Sequence, residues 1–198
     1  MATNKRKFSA SSSSPSSSSG GGGADDDCLV WPPTIIVENT RVRKSDDGRW
    51  TGIGNPEMAC LLKDIGHTQG KPKAVWGKEG HMGQVLVEYP LTQVGLHEGE
   101  RLHNFFKSCE RGREQWLKVR PLWHGLPGHE AIEEGPDFVR YDEVEKIDKR
   151  VLYGYLATEQ DLSKLPKKKN RRPKTVSRKV IEKAFISASP GELVVDPS

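Results

Sequence analysis

Two amphipathic helical patterns alternate with short apolar runs between residues 28 and 165, and this order limits the fold more than any other feature of the sequence. Apolar residues recur at i, i+3, i+4 and i+7 across 58–65 and again across 102–109, as on one face of a helix. Runs with the composition of strands flank them, at 34–37, 74–76, 84–89 and 151–157. The sequence therefore predicts an α+β domain in the order β-α-β-β-α-β.

That order predicts a four-stranded antiparallel sheet backed by two helices, the ferredoxin-like arrangement of RNA-recognition motifs. The predicted fold also has a long insert, residues 110–150, before the last strand. The part from 121 to 148 is rich in Asp and Glu, so we expect it either to cap the sheet or to contact a basic partner. An acidic cap would repel RNA from the surface that it covers.

Composition changes abruptly at both ends of this domain. Residues 1–27 are rich in Ser and Gly and predict a disordered leader, with no apolar segment that could serve as a secretory signal. Residues 166–198 predict a basic, mostly disordered tail, which leaves 28–165 as the folded domain. No apolar run approaches the roughly 18 residues of a membrane span, so we expect no membrane contact.

The net charge of +4 combines two opposite parts. Residues 25–163 carry 18 basic and 24 acidic side chains, whereas 164–183 carry ten basic and one acidic. The tail is therefore predicted to act as a nuclear-import signal and a non-specific phosphate anchor. The protein is expected in the nucleus, with the cytoplasm as a second location left open. The residues expected to do this are Lys167, Lys168, Lys169, Arg171, Arg172 and Lys174.

The motifs of common enzyme and metal sites are missing from the sequence. There is no phosphate-binding Gly-Lys-Ser/Thr loop and no Ser-centred nucleophile elbow. The three cysteines are widely spaced, and His124 and His129 lie in a Pro/Gly-rich turn that we do not interpret as a metal site. We therefore expect no catalysis, no cofactor and no bound metal.

The positions that carry base-stacking rings in RNA-recognition motifs hold other residues here. They fall on Ile36, Gln84 and Leu86. Each missing stack removes about 1–3 kcal/mol of binding, so reading of single-stranded bases is not supported. Alternation along the last strand places Tyr153 and Tyr155 on the open sheet face as partial replacements, or else beneath the insert.

Basic side chains in the loops suit contact with an RNA backbone better than base reading. Duplex RNA is recognised mainly through its shape, phosphates and 2′-hydroxyls. His81, in a Gly-lined turn that a phosphate could approach, is a further candidate. The alternative is that these cations only solvate an acidic domain. The cations in question are Arg41, Arg43, Lys44, Arg49 and Lys78.

A series of short motifs makes the chain resemble one family. They are Val30-Trp31-Pro32-Pro33, Asn39-Thr40, Trp50-Thr51-Gly52-Ile53-Gly54-Asn55, Gly80-His81-Met82-Gly83, Glu98 with Arg101-Leu102-His103 and Phe106, Gly112-Arg113-Glu114 with Trp116, and Leu152-Tyr153-Gly154-Tyr155-Leu156-Ala157. In this order they resemble the XS domain of the plant family that includes suppressor of gene silencing and the factors of DNA methylation.

The resemblance implies an RNA-recognition-like fold without stacking aromatics, binding of double-stranded RNA, in some members with a 5′ overhang, and a role in small-RNA-directed silencing. Among the family-like positions, it favours His81, Arg101 and His103 as functional, and Trp31 and Gly154 as structural. Members usually carry a zinc-binding segment before this domain and a coiled coil after it. Residues 166–198 lack the apolar heptads of a coiled coil.

Two functions follow from these observations. The first is a non-enzymatic module that binds double-stranded rather than single-stranded RNA in plant gene silencing or RNA-directed DNA methylation. The second is an adaptor whose sheet face holds a protein of the silencing pathway. That face would consist of Ile36, Leu86, Tyr153 and Tyr155.

Overall fold

The computed structural model describes residues 28–120, 135–166 and 174–186. The leader, His124 and His129, and the basic residues from Lys167 to Arg172 lie outside these ranges. The strands are β1 (Cys28–Trp31), β2 (Thr34–Glu38), β3 (Arg41–Lys44), β4 (Trp50–Gly52), β5 (Lys71–Gly77), β6 (Gly80–Glu88), β7 (Val139–Asp142), β8 (Ile147–Arg150), β9 (Tyr153–Leu156) and β10 (Lys174–Ser177). The helices are α1 (Asn55–Asp64), α2 (Gln93–Ser108), α3 (Arg113–Val119), α4 (Glu159–Ser163) and α5 (Arg178–Ile186).

One six-stranded sheet forms the centre of the molecule. Strand β2 pairs antiparallel with β6 on one side and with β9 on the other, and β6 pairs antiparallel with β5. The short hairpin of β3 and β4 joins the same sheet through a parallel contact between Trp50 and Gly80. Strands β7 and β8, and β1 and β10, form separate two-stranded pairs. The predicted α+β class is confirmed.

The first face of the sheet carries the main core. Ile35 and Val37 of β2 and Val85 and Val87 of β6 are completely buried, at 0% exposure, because alternate residues of a strand share a face. The apolar sides of α1 and α2 cover them with Met58, Leu62, Leu102 and Phe106. The helical spacing seen in the sequence is therefore the spacing of a helix packed on a sheet.

Side chains also cover the second face of the sheet, so the expectation that this face is open is wrong. Ile36, Tyr153 and Tyr155 are at most 4% exposed and lie in a second apolar cluster with Trp116 of α3 and Phe138. The ring centroids of Trp116 and Tyr153 lie 5.3 Å apart. The other alternative from the sequence, that these tyrosines pack beneath the insert, is the one that the structure has.

Asn39 fastens the insert to the sheet. Its side-chain Nδ2 donates to the backbone oxygens of Phe138 at 2.8 Å and Val151 at 2.9 Å. The backbone of Asn39 has φ = 61°, a left-handed conformation that Asn tolerates better than most residues. This residue therefore both ends β2 and holds the chain segment that covers the second face.

Part of the predicted disordered tail is folded. Strand β10 pairs antiparallel with β1 over four residues, and α5 follows it directly. Val176 is 9% exposed and Ile181 0%, and both pack against Trp31 and Leu96. Within the tail that was predicted to be mostly disordered, residues 174–186 thus form a strand and a helix, which pack on the domain through Val176 and Ile181.

In the part of the chain that the structure describes, no helix is both long and apolar enough to cross a membrane.

Candidate nucleic-acid interface

The β3–β4 hairpin and the turn between β5 and β6 meet at one end of the sheet. The backbone N–H of Trp50 donates to the oxygen of Glu79 at 2.8 Å, and Trp50 faces Gly80 across the strand pair. Gly80 has φ = 97°, and a Cβ there would lie 2.3 Å from the backbone oxygen of Trp50. Only glycine therefore allows the two turns to approach each other so closely.

Five predicted RNA-binding cations come together here. We call them, with the exposed ring of Trp76, the hairpin surface: Arg41, Arg43, Lys44, Arg49, Lys78 and Trp76. Arg43, Lys44, Arg49 and Lys78 are exposed, and Arg41 is half-buried. Three acids lie in the same turns, Asp46, Asp47 and Glu79, so the surface keeps a net positive charge.

The ring of Trp50 orders two of these cations. The guanidinium carbon of Arg41 lies 4.5 Å from the ring centroid, and the Nζ atom of Lys44 lies 4.9 Å from it. Each such contact contributes about 0.5–1 kcal/mol at an exposed site. Arg41 Nε also donates to the backbone oxygen of His81 at 3.3 Å. The two positive groups are thus held in place before any ligand binds.

Trp76 is the residue of this surface that the sequence analysis did not select. It is 56% exposed, and its ring makes a T-shaped contact with that of His81 at a centroid distance of 5.0 Å. Its position in a short strand, just before the Gly-Lys turn, was the only signal in the sequence. An exposed indole beside a group of cations offers a stacking surface for a base or a base pair.

His81 occupies a different environment from the one predicted. It lies in β6 and is 1% exposed rather than in an open turn, because its ring fills the space beside Gly52. The Gly83 N–H donates to Nδ1 at 3.0 Å, so Nε2 carries the proton and donates to the Ile53 oxygen at 3.2 Å. Burial lowers the pKa of His81, so the ring is neutral. This neutral ring packs beneath the hairpin surface.

Arg101 and His103 lie on α2, on the helical side of the molecule, and are not brought to the hairpin surface. Arg101 donates to Glu98 at 2.6 Å and to the Gly66 oxygen at 2.7 Å, which joins the end of α1 to α2. His103 is half-buried, and burial lowers its pKa. His103 Nδ1 accepts from the backbone N–H of Leu156 in β9 at 3.4 Å. Both residues thus have contacts within the fold, and their binding role stays a prediction.

The second sheet face holds a buried acid. Glu38 is 3% exposed, and its Oε1 accepts from the Tyr155 hydroxyl at 2.7 Å and from Gln84 Nε2 at 3.0 Å. Burial raises the pKa of Glu38 above its ordinary value. The Tyr155 hydroxyl thus has a hydrogen-bond partner inside the protein. Its ring has a partner as well, because the Arg113 guanidinium carbon lies 4.1 Å from the ring centroid in a cation–π contact.

Of the basic tail residues, the structure describes the backbone of Lys174, which pairs with Trp31 in the β1–β10 sheet. Among the described residues, no cluster of three or more His, Cys, Asp or Glu side chains is arranged to hold a metal ion.

Comparisons with known proteins all point to one family. The family model described as the XS domain matches residues 26–164. A Suppressor of gene silencing 3 homolog of Oryza sativa subsp. indica is 30% identical over 134 residues, which cover 68% of this chain and 18% of that protein. The protein Involved in de novo 2 of Arabidopsis thaliana is 31% identical over 102 residues, 50% of this chain and 16% of that protein.

Factor of DNA methylation 3 of Arabidopsis thaliana is 28% identical over 90 residues, 45% of this chain and 14% of its own length. The chain thus spans less than a fifth of these relatives.

Proposed function

The chain belongs to the XS domain family, and from that premise we propose that it binds double-stranded RNA through the hairpin surface, within plant small-RNA-directed gene silencing or RNA-directed DNA methylation. Two of the three relatives named above carry gene silencing or DNA methylation in their names. This is a binding function, and we propose no enzymatic step.

The gathering of the basic residues carries this proposal. Four cations of the β3–β4 hairpin and Lys78, which is distant in the sequence, share one end of the sheet, and two of them are ordered on Trp50. Contacts to phosphates fix a protein on a duplex without reading its sequence. A net positive surface on a domain whose overall charge is negative concentrates the attraction for RNA at this end.

The fold supports an RNA-recognition-like arrangement in which the usual binding face is closed. The strand order β9-β2-β6-β5, with α1 and α2 on one face, supports such an arrangement. The opposite face, where such domains stack single-stranded bases, is packed against Trp116 and Phe138. Contact through an end of the sheet suits a duplex better than it suits unpaired bases.

The test is a salt series with the full chain and a blunt RNA duplex, measured by fluorescence anisotropy. We expect Arg43→Glu with Lys78→Glu to weaken binding roughly tenfold or more, and to lower the slope of log K against log salt by about 2. The matched control is Lys63→Glu with Lys107→Glu, two exposed lysines on α1 and α2. The control should leave both the affinity and the slope near those of the unaltered protein.

A second variant separates the domain from its tail. In it Lys167, Lys168, Lys169, Arg171 and Arg172 are changed to Ala. If this variant abolishes duplex binding and the hairpin variant does not change it, the proposal is wrong. Residual binding that still depends on Arg43 and Lys78 supports it. We also propose that this basic run directs the protein to the nucleus, which a fluorescent fusion of the same variant tests.

A second candidate function is contact with a protein of the silencing pathway. Because the sheet face is buried, we now place this contact on the β7–β8 hairpin. Ile36, Tyr153 and Tyr155 are buried, whereas Val144 and Ile147 are 91% and 49% exposed. Val144→Asp with Ile147→Asp should then lower partner capture and leave duplex affinity unchanged. Unchanged capture would argue against this hairpin as the contact.

A further inference from the structure

Ser45 begins the turn that joins β3 and β4, among the residues of the hairpin surface. Its backbone N–H donates to the Arg49 oxygen at 2.8 Å, and its backbone oxygen accepts from the Gly48 N–H at 2.9 Å. Gly48 has φ = 77°, a conformation that glycine adopts readily. Asp46, Asp47 and Gly48 are exposed. The turn is thus closed by its own backbone and is open to solvent on its outer side.

The Ser45 hydroxyl has only local partners among the residues that the structure describes. Its Oγ lies 2.5 Å from Asp47 Oδ1 and 2.9 Å from the backbone oxygen of Arg49. Asp47 Oδ1 also accepts from the Arg49 N–H at 3.1 Å. All of these bonds lie within 45–49, so an enzyme can draw Ser45 out of the turn without disturbing the core of the domain.

The charge of the chain changes sign at Ser45. Arg43 and Lys44 come directly before this serine, Arg41 lies four residues before it, and two aspartates follow it. Protein kinases select their substrates partly by such charge patterns, and cations before the acceptor serine suit a kinase with an acidic substrate groove. Ser45 therefore combines an exposed turn with the flanking charges of a kinase substrate.

We propose that Ser45 is a phosphorylation site and that its phosphate switches off duplex RNA binding at the hairpin surface. This inference rests on the proposed function and adds a means of regulating it. In the reaction the Ser45 oxygen bonds to the γ-phosphorus of ATP, and the bond from that phosphorus to the bridging oxygen breaks. ADP leaves, and the hydroxyl proton passes to the catalytic aspartate of the kinase.

The phosphate acts on the charge of the surface. The hairpin surface and its turns hold five cations and three acids, which leaves two net positive charges. A phosphoserine adds about 1.5 to 2 negative charges at pH 7, so modification brings the surface close to neutrality. An RNA duplex then loses most of the local attraction, because its backbone is recognised here through those cations.

The phosphate also competes for the same side chains as RNA. Its oxygens are chemically like those of an RNA backbone, and it is held in the same chain at a high effective concentration. The modified Ser45 oxygen no longer donates to Asp47, and the phosphate repels that carboxylate. Arg49 Nε lies 3.8 Å from Asp47 Oδ2, so we expect this guanidinium to turn toward the phosphate. The modified turn thus occupies its own cations.

The test of binding uses the full chain with phosphoserine incorporated at position 45 and the same blunt RNA duplex. We expect anisotropy to show affinity about tenfold lower than that of the unmodified chain, with a slope of log K against log salt that is lower by about 1 to 2. The matched control carries phosphoserine at Ser108, an exposed serine beside Lys107 on α2. Its affinity should stay within about twofold, because the same charge lies away from the hairpin surface.

Each result of this comparison has one meaning. Equal weakening by the two phosphoserines would show an effect of overall charge and overturn the proposal. If the unmodified chain binds the duplex and phosphoserine at 45 changes nothing, this inference is wrong and the proposed function stands. If the unmodified chain does not bind, the proposed function itself is wrong.

A combined variant tests whether the phosphate acts through the neighbouring cations. Arg43→Gln with Lys44→Gln removes two of them, so phosphoserine at 45 should weaken this variant by a smaller factor than it weakens the unaltered chain. The same factor in both backgrounds would contradict local competition.

The modification itself is tested on the full chain recovered from plant cells. Mass spectrometry, with a protease that leaves Arg43 and Lys44 in the peptide, should find phosphate on Ser45. Arg43→Gln with Lys44→Gln should lower its occupancy severalfold, because the flanking cations are lost. A chain without phosphate on Ser45, or occupancy that is unchanged in the variant, would overturn the assignment of this site.

Discussion

Gly154 lies directly beneath the ring of Phe106, where β9 crosses α2. A Cβ at Gly154 would lie 2.2 Å from Cδ2 of that ring, far inside van der Waals contact. The backbone N–H of Gly154 also donates to the Arg111 oxygen at 2.9 Å, which fixes the end of α2 against the strand. Close packing of helix and sheet at this point therefore depends on the absence of a side chain.

Gly154→Ala should lower the free energy of unfolding by about 1–3 kcal/mol, because the ring of Phe106 or the strand must shift. Urea unfolding measures this loss. Gly54→Ala is the control, since a Cβ there would meet Pro56 at an ordinary 3.8 Å. Combining Gly154→Ala with Phe106→Leu should cost less than the sum of the single changes. Strict additivity would contradict the proposed contact.

The periodicity of the sequence predicted the first core correctly and the second core poorly. The apolar spacing of α1 and α2 and the alternation along β9 are local patterns. Each corresponds to one helix or strand in the structure. What covers the second face depends on contacts between Trp116, Phe138 and Asn39, which are far apart in the sequence. Periodicity reports which side of an element is apolar, but not which element packs on it.

The candidate site, like the core, was predicted only in part. The sequence identified the cations of the β3–β4 hairpin, because charge and loop position are local properties. It placed His81 in a Gly-lined turn that a phosphate could approach, whereas the ring is buried beside Gly52.

Trp76→Ala should weaken duplex RNA binding by about fivefold to a hundredfold, if a terminal base pair stacks on the exposed indole. Anisotropy with the same blunt duplex measures the loss. Trp76→Phe should retain most of the affinity, because a ring remains. Phe105→Ala, at an exposed ring on α2, serves as the control and should bind as the unaltered protein does. Equal affinities for Trp76→Ala and the unaltered protein would remove Trp76 from the interface.

Stability should fall as the pH decreases below about 7. Burial holds the pKa of His81 below its ordinary 6.5, so the unfolded chain takes up a proton in a pH range where the native ring does not. The stabilising effect of the neutral ring is therefore complete above 6.5 and is lost as the pH falls toward the lowered value. Burial lowers the pKa of His67 and His103 as well, which adds to the slope.

His81→Gln measures how much His81 contributes to this pH dependence of stability. The amide oxygen can accept from Gly83 and the amide NH₂ can donate to Ile53, but the group does not titrate. We expect a cost of about 1–3 kcal/mol at pH 8, from lost packing, and a smaller slope of unfolding free energy between pH 7 and 5.5. Urea unfolding at four pH values gives both quantities. An unchanged slope would mean that His81 titrates normally in the folded protein.

The docking of α5 makes residues 174–186 part of the stable fold rather than an appended tail. Ile181 is 0% exposed and packs with Trp31 and Leu96, and β10 supplies the partner strand of β1. Ile181→Ala should therefore cost about 2–5 kcal/mol, the usual range for removing a buried branched side chain. Hydrogen exchange should report the same change locally, as faster exchange of the β1 and β10 backbone amides.

The neighbouring Val180 provides the matched control for this prediction. It is 52% exposed on the same helix, so Val180→Ala removes a similar amount of apolar side chain without opening the core and should stay within about 0.5 kcal/mol. If α5 only rests on the surface, the two variants will have equal stability, and β10 will exchange as rapidly as an unfolded segment. A large difference confined to Ile181 is the expected outcome, because Ile181 is completely buried in the cluster with Trp31 whereas Val180 is half exposed.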